Sequence, residues 1–190
     1  MVRLVPLLAL FACAAKTEAV EEATSDPSRV ISRSVDSEGL ITQQVDFDGD
    51  GKAEVTNYFR DRSEAADLIV RKDLDLNRDA RVDVVSYFDE SGELQREEMD
   101  SDFDGRFDAA DHYQGGVRVL SEYDTDFDGR PNVFKYYTAN EQGRPVLNRK
   151  ERDTDGDGKI DVWERFAPTG EVIRTARDTD GDGKMDVRED

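Results

Sequence analysis

An aspartate-rich loop recurs six times in this chain of 190 residues, and its spacing limits what the chain can fold into. The copies start at Asp46, Asp75, Asp100, Asp124, Asp153 and Asp178, so the period is 24 to 29 residues. A period of that length marks a repeat array, in which one small supersecondary unit stacks on the next. The two most complete copies read DTDGDGKIDVWE (153–164) and DTDGDGKMDVRE (178–189). Numbered from the first aspartate, carboxylates stand at positions 1, 3, 5, 9 and 12, with glycine at 6 and an apolar residue at 8.

Such a set suits calcium, a hard ion that takes six to eight oxygens at roughly 2.3 to 2.6 Å. Both copies fit the EF-hand loop pattern over all twelve positions. In the fifth copy the candidate ligands are Asp153, Asp155, Asp157, Asp161, Glu164 and the carbonyl of Lys159. In the sixth they are Asp178, Asp180, Asp182, Asp186, Glu189 and the carbonyl of Lys184. Gly158 and Gly183 permit the sharp turn, and the two glutamates are expected to close the shell. Without a cation, so many carboxylates in one loop repel one another.

The upstream copies have traded away parts of this shell. The first keeps Asp46, Asp48, Asp50 and Glu54, with the Lys52 carbonyl, but ends on Asn57. The second, Asp75, Asn77, Asp79, the Arg81 carbonyl and Asp83, has Ala80 in place of glycine and ends on Ser86. The third holds Asp100, Asp102, Asp104, the Arg106 carbonyl, Asp108 and the shorter Asp111 at position 12. The fourth holds Asp124, Asp126, Asp128, the Arg130 carbonyl and Asn132, with Lys135 in place of the closing acid. The expected cofactor is Ca2+, up to about six ions, with the strongest sites in the last two copies.

The segments between loops read as strands. Only 13 residues separate Glu164 from Asp178, with Pro168 and Gly170 among them, too few for two helices and a connection. From position 8 onward residues alternate: Ile160, Val162, Glu164, Phe166, or Val82, Val84, Ser86, Phe88. Position 14 is aromatic in every copy that reaches it (Phe59, Phe88, Tyr113, Tyr137 and Phe166), which predicts a stacked core. A turn follows, marked by Gly92, Gly115-Gly116, Gly143 or Gly170, then a second strand over 94–99, 117–123, 146–152 or 172–177 leads into the next loop, while 40–45 and 68–74 enter the first and second loops. The predicted fold is mainly β: tandem β-hairpins joined by calcium loops in an elongated or solenoid-like sheet. A short helical turn after each loop is the structural alternative, because positions 10, 13 and 14 also share a helical face.

Composition bears on whether such a sheet can form. Hydrophobic residues make up 36% and charged residues 37%, with a net charge of -19, a profile shared with disordered chains. Sixteen aromatics and regularly placed acids argue for order, and bound cations would offset the repulsion. No basic run offers a phosphate footprint, which argues against nucleic acid. No nucleophile–base pair, phosphate loop or zinc-ligand set accompanies the single histidine, His112, so a non-enzyme is expected over an envelope-associated hydrolase.

The N-terminus reads MVRLVPLLALFA (1–12) before Cys13, the chain's one cysteine. Leu10-Phe11-Ala12-Cys13 resembles the lipobox of bacterial lipoproteins, which implies a signal peptide over 1–12 and an acylated Cys13 seated in membrane lipid. An ordinary secretory peptide with an incidental cysteine and an unprocessed N-terminal segment are the open alternatives. The stretch 13–34 reads as a flexible tether and 35–190 as the repeat domain. The repeat body is similar to calcium-binding Asp-rich repeats, including EF-hand, dockerin and thrombospondin type 3 loops. Segments 87–108 and 159–186 resemble repeats of bacterial lipoproteins. The resemblance implies calcium binding outside the cytoplasm, on a protein lipid-anchored to the cell envelope at the outer membrane. The expected role is a calcium-stabilised structural or interaction module meeting an envelope protein or glycan, with a calcium sensor or buffer as the alternative.

Overall fold

A computed structural model describes residues 29–62 and 65–189. Thirteen strands follow in chain order: β1 (Val30–Val35), β2 (Leu40–Val45), β3 (Val55–Arg60), β4 (Leu68–Leu74), β5 (Val84–Phe88), β6 (Leu94–Met99), β7 (Ala109–Gln114), β8 (Val117–Tyr123), β9 (Val133–Ala139), β10 (Pro145–Arg152), β11 (Val162–Phe166), β12 (Val172–Arg177) and β13 (Val187–Glu189). Each pairs antiparallel with its sequence neighbours, so the sheet order is the chain order. The sheet is elongated, neither curled nor closed. No α-helix occurs among the described residues, so β3, β5, β7, β9 and β11 stand where short helical turns were the alternative. No described helix is long and apolar enough to cross a membrane. Cys13 and the segment 1–12 lie outside the described residues.

Two strands per period place the connections alternately on opposite edges. All six aspartate loops fall on one edge and the glycine turns on the other. The turns are closed by short polar side chains. Asp36 Oδ1 accepts the amides of Glu38 and Leu40 at 2.8 and 2.9 Å, and Asn140 Oδ1 accepts those of Gln142 and Arg144 at 3.0 and 2.9 Å. β1 begins at Val30, inside the stretch 13–34 read as tether. Pairing with β2 from Ser32↔Gln44 to Val35↔Ile41 takes up backbone groups whose polar composition had suggested a linker.

Burial concentrates beside the loop edge. Cross-strand partners there form one row: Val45, Val55, Leu74, Val84, Met99, Ala109, Tyr123, Val133, Arg152 and Val162. Val45, Val55, Val84 and Val162 are buried, as are Val85 and Ala176 on the opposite face. Farther from the loops, side-chain ladders take over. Arg71 lies opposite Tyr58 and Tyr87, its guanidinium 5.3 and 5.7 Å from their ring centroids. It also donates to Asp73 at 2.6 and 2.9 Å. Arg149 repeats the device, 3.9 Å from the Tyr136 ring and 3.2 Å from Glu151. His112 faces Glu122 with Nε2 and Oε2 2.8 Å apart. Each such pair contributes about 0.2–1 kcal/mol.

The position-14 aromatics are half-buried on this single-layer sheet, because among the described residues no second layer covers them as the predicted stacked core would require. They mark a recurrent β-bulge. Register shifts between Tyr58 and Phe59, Tyr87 and Phe88, His112 and Tyr113, and Arg165 and Phe166, and β10 shifts between Leu147 and Arg149 opposite Tyr137 and Tyr136. Each shift leaves one extra residue on the returning strand: Val70, Gln95, Val119, Asn148 or Ile173. Side chains beyond the extra residue change face, so the returning strand does not alternate cleanly.

Because strands pack almost only on their neighbours, local opening is the proper measure of stability. Val85→Ala, at a 1% exposed position, is expected to cost about 1–3 kcal/mol in hydrogen exchange of β5 and its neighbours. Val172→Ala, at a 50% exposed position, is expected to stay within about 0.5 kcal/mol. Equal effects at the two positions would contradict the placement of the core.

Candidate metal centre

Each loop is wound around the carboxylate of its first aspartate. Gly51 N–H donates to Asp46 Oδ2 at 2.7 Å, and the same position-6 amide reaches Asp75, Asp100, Asp124, Asp153 and Asp178 at 2.9, 2.7, 2.7, 2.8 and 2.5 Å. In the first, second, fifth and sixth loops the other oxygen accepts the amide of position 4, from Gly49, Arg78, Gly156 or Gly181, at 2.6 to 2.9 Å. In the third and fourth it accepts that of position 5, Asp104 or Asp128, at 3.2 and 3.3 Å. Positions 4 and 6 both take positive φ throughout, including Arg78 (66°), Ala80 (69°), Phe103 (64°) and Phe127 (61°). The sequence marks position 6 by its glycine. Position 4, which is glycine in only three copies, was not legible.

Position 9 closes the turn. Its side chain accepts the position-2 amide: Phe47 to Glu54 at 2.7 Å, Leu76 to Asp83 at 2.6, Ser101 to Asp108 at 2.9, Thr125 to Asn132 at 2.9, Thr154 to Asp161 at 2.6 and Thr179 to Asp186 at 2.9. Where position 2 is Ser or Thr, its hydroxyl donates there too, as from Thr154 to Asp161 at 2.6 Å and Thr179 to Asp186 at 2.8 Å. The Asp-Ser or Asp-Thr opening of the last four copies is the signal for this bond. The loops are also tied sideways. The amide of Asp75, Asp100, Asp124, Asp153 and Asp178 donates to the carbonyl of the preceding loop's position 9 at 2.7 to 3.0 Å. The sheet's hydrogen-bond ladder thus runs on into the loop edge.

Five loops gather acids whose oxygens stand within 4.8 Å of one another: Asp46, Asp48, Asp50 and Glu54; Asp100, Asp102 and Asp108; Asp124, Asp126 and Asp128; Asp153, Asp155 and Asp161; Asp178, Asp180 and Asp186. These clusters are able to chelate a divalent ion. The second loop forms no such group. Asn77 donates to Asp79 at 3.2 Å, and Asp83 is taken up by the amides of Leu76 and Asn77. Asp104, Asp157 and Asp182 stand outside the clusters. Each accepts the amide of its position-7 neighbour (Arg106, Lys159, Lys184) at 2.8 to 2.9 Å, as Asp50, Asp79 and Asp128 do from Lys52, Arg81 and Arg130. Asn132 bonds Thr125.

Position 12 lies elsewhere, because the strand has already begun. Glu164 is in β11, opposite Lys150 and Thr175, with an oxygen 3.5 Å from Arg152 Nη2. Glu189 is in β13 opposite Thr175. Asp111 is in β7, 2.9 Å from Arg118 and hydrogen-bonded to the buried Ser121 hydroxyl. An EF-hand bends a helix back to bring its closing glutamate to the ion; here an extended strand leads that residue away.

Electrostatics divides the clustered acids. The amides of Gly51 and Gly49 hold Asp46 below the usual carboxylate range. The hydroxyl and amide of Thr154 do the same for Asp161, and the amide and hydroxyl of Thr179 for Asp186. Burial pushes Asp178 up, but the amides of Gly183 and Gly181 outweigh it and the net shift is down. Asp102 is raised by burial and by repulsion from Asp104, Asp100 and Asp108. A lowered carboxylate stabilises the fold fully above its unfolded value, near 3.9 for Asp, and loses that contribution as pH falls through the lower folded value. A raised one takes up its proton earlier. Acidification is therefore expected to perturb the amide of Asp104, which donates to Asp102, at higher pH than those of Thr154 and Thr179, which donate to Asp161 and Asp186, as followed by NMR. The reverse order would contradict this assignment.

No family model matches the chain, and no curated protein matches it. Among solved structures, one match is the crystal structure of accessory secretory protein 1, 2 and 3 in Streptococcus pneumoniae. The identity is 11%, the alignment covers 59% of this chain and 19% of that one, and the TM-score is 0.37. At these values the likeness carries no information about function.

Proposed function

We propose that this chain is a calcium-binding structural or interaction module of the bacterial cell envelope, in which the ions stabilise the hairpin ribbon. The observation that carries the reading is the set of five acid clusters along one edge, each within 4.8 Å, on loops tied one to the next by backbone hydrogen bonds. Calcium is the fitting ion because the donors are all oxygens and the shells are incomplete, leaving places for water and for carbonyls such as those of Lys159 and Lys184. Magnesium wants a tighter octahedron and sheds water reluctantly. Shells of three or four carboxylates suit the roughly 10^-4 to 10^-3 M range of extracellular modules, in which calcium acts as a standing structural part. The role is not catalytic, and a ribbon with two flat faces suits contact with an envelope protein or glycan.

Ions bound only by the folded loops stabilise them by mass action, about 1.4 kcal/mol per site at tenfold Kd. Millimolar calcium is therefore expected to raise the melting temperature by several degrees and slow exchange of the loop amides, with magnesium doing less. An unchanged melt on moving from calcium to EDTA would rule this reading out. The same reading places Cys13 in lipid, as its lipobox-like context implies. Radiolabelled palmitate is expected to enter the chain expressed in a bacterial host and to be lost in Cys13→Ser. Equal labelling of the two would remove the anchor while leaving the loops untouched.

A further inference from the structure

The second loop differs from the other five at position 4, where it alone carries a cation. Position 4 is Gly49, Phe103, Phe127, Gly156 or Gly181 in the other loops and Arg78 here, a long charged side chain on a left-handed backbone at φ 66°. Its guanidinium does not turn back to the acids of its own loop. Nη1 lies 2.7 Å from Oδ2 of Asp48, the position-3 acid of the first loop. Asp48 belongs to the largest cluster, the group of four with Asp46, Asp50 and Glu54. Among the described residues, no other position-3 aspartate is ion-paired. Arg81 reaches the other way, 3.4 Å from the Asp104 carbonyl and against Gly105 of the third loop. The first and second loops flank an open cleft of about 310 Å³, lined by Lys52, Arg78 and Arg81 as well as Glu54, Asp73 and Asp75.

We infer that Arg78 is a tethered counter-ion for the first loop, holding that acid cluster together without metal and yielding Asp48 only when a divalent ion displaces it. Four carboxylates within 4.8 Å are strongly self-repelling, and a guanidinium in contact with one of them lowers that repulsion for all. The pair is open to solvent, with side-chain exposures of 58% for Arg78 and 30% for Asp48. It is weak enough for a divalent ion to displace. The first loop therefore fills at higher calcium than its four acids alone would set, while its turn stays formed in the empty state. This second half rests on the calcium reading. The first half does not.

The test uses the full chain, Arg78→Gln, which keeps a long side chain on the same strained backbone without charge, and Arg78→Lys, which restores the charge. In EDTA, exchange of the Gly49 and Gly51 amides is expected to speed up on the order of three- to tenfold in the Gln variant, to recover in the Lys variant, and to be unchanged at Gly156 and Gly158. On titration with calcium, the midpoint read at Gly49 and Gly51 is expected to fall on the order of three- to tenfold in the Gln variant. Identical Gly49 and Gly51 exchange in native and Gln proteins overturns the counter-ion. A calcium midpoint that does not move overturns the competition, provided Gly156 and Gly158 respond to calcium. If no loop responds, the calcium reading fails on its own, and the EDTA comparison still decides the role of Arg78.

Discussion

The bond between the first aspartate of each loop and the amides it faces is the interaction on which the ribbon depends. That carboxylate sits at the end of a strand, buried or nearly so, in a sheet where little else is buried. Two inward-pointing N–H groups compensate its charge with fixed dipoles and fix two left-handed residues in the same act. The amide of that aspartate then bonds to the neighbouring loop's carbonyl. A loop cannot lose its winding without pulling at the next rung of the ladder. In the fifth loop amides also reach the acids at positions 5 and 9, one each, but the first acid alone is wrapped by two along the turn. The acids that converge on the same space still repel one another, as the raised Asp102 shows, and that repulsion is the physical case for a cation.

A charged, weakly apolar chain forms a sheet here because it never attempts a two-layer core. In a single-layer ribbon each residue has cross-strand partners but no facing layer, so stability accrues from lateral pairs. Arg71 between Tyr58 and Tyr87, with Asp73 at its head, illustrates the economy: one side chain covers two rings and neutralises one acid. Most of the apolar burial, though not that of Ile41 and Leu68, lies beside the loops, where drying strengthens the hydrogen bonds that wind them. The composition that resembles a disordered chain is thus what such a ribbon needs, provided charges are placed in register.

Register is also where the sequence was most and least legible. The strands leading into the loops can be read with their bounds (40–45, 68–74, 94–99, 117–123 and 172–177), because polar turns, all but the one before 68–74 with glycine, and aspartates bracket each one. Their poor alternation was legible too, but its meaning was not. Val70, Gln95, Val119, Asn148 and Ile173 are bulge residues, and a bulge has no residue signature of its own in these hairpins. The first strand was hidden because Val30–Val35 has one fully polar face and follows a linker-like stretch. At the sites, positions 1, 3 and 9 were plain from charge and spacing. Position 12 was not, because the EF-hand pattern places a closing ligand there, while the strand already read after the loop carries that residue away.

The consequence is a different gradient along the edge. A closing glutamate at position 12 would make the fifth and sixth loops the strongest. With Glu164 facing Arg152 and Glu189 on β13, those loops offer the same three acids as the third, at positions 1, 3 and 9. The first loop alone brings four together, because Glu54 at position 9 and Asp50 at position 5 both join the acids at positions 1 and 3, whereas each other cluster gains only one of the two. Charge density therefore peaks beside β2 and β3, and this is the loop that Arg78 touches. Where acids gather most closely, the chain supplies a positive group of its own. Where they gather less, the amide-wound turn suffices. Asymmetry among near-identical repeats thus follows from the sum of local charge, a quantity that matching each loop to a motif leaves out.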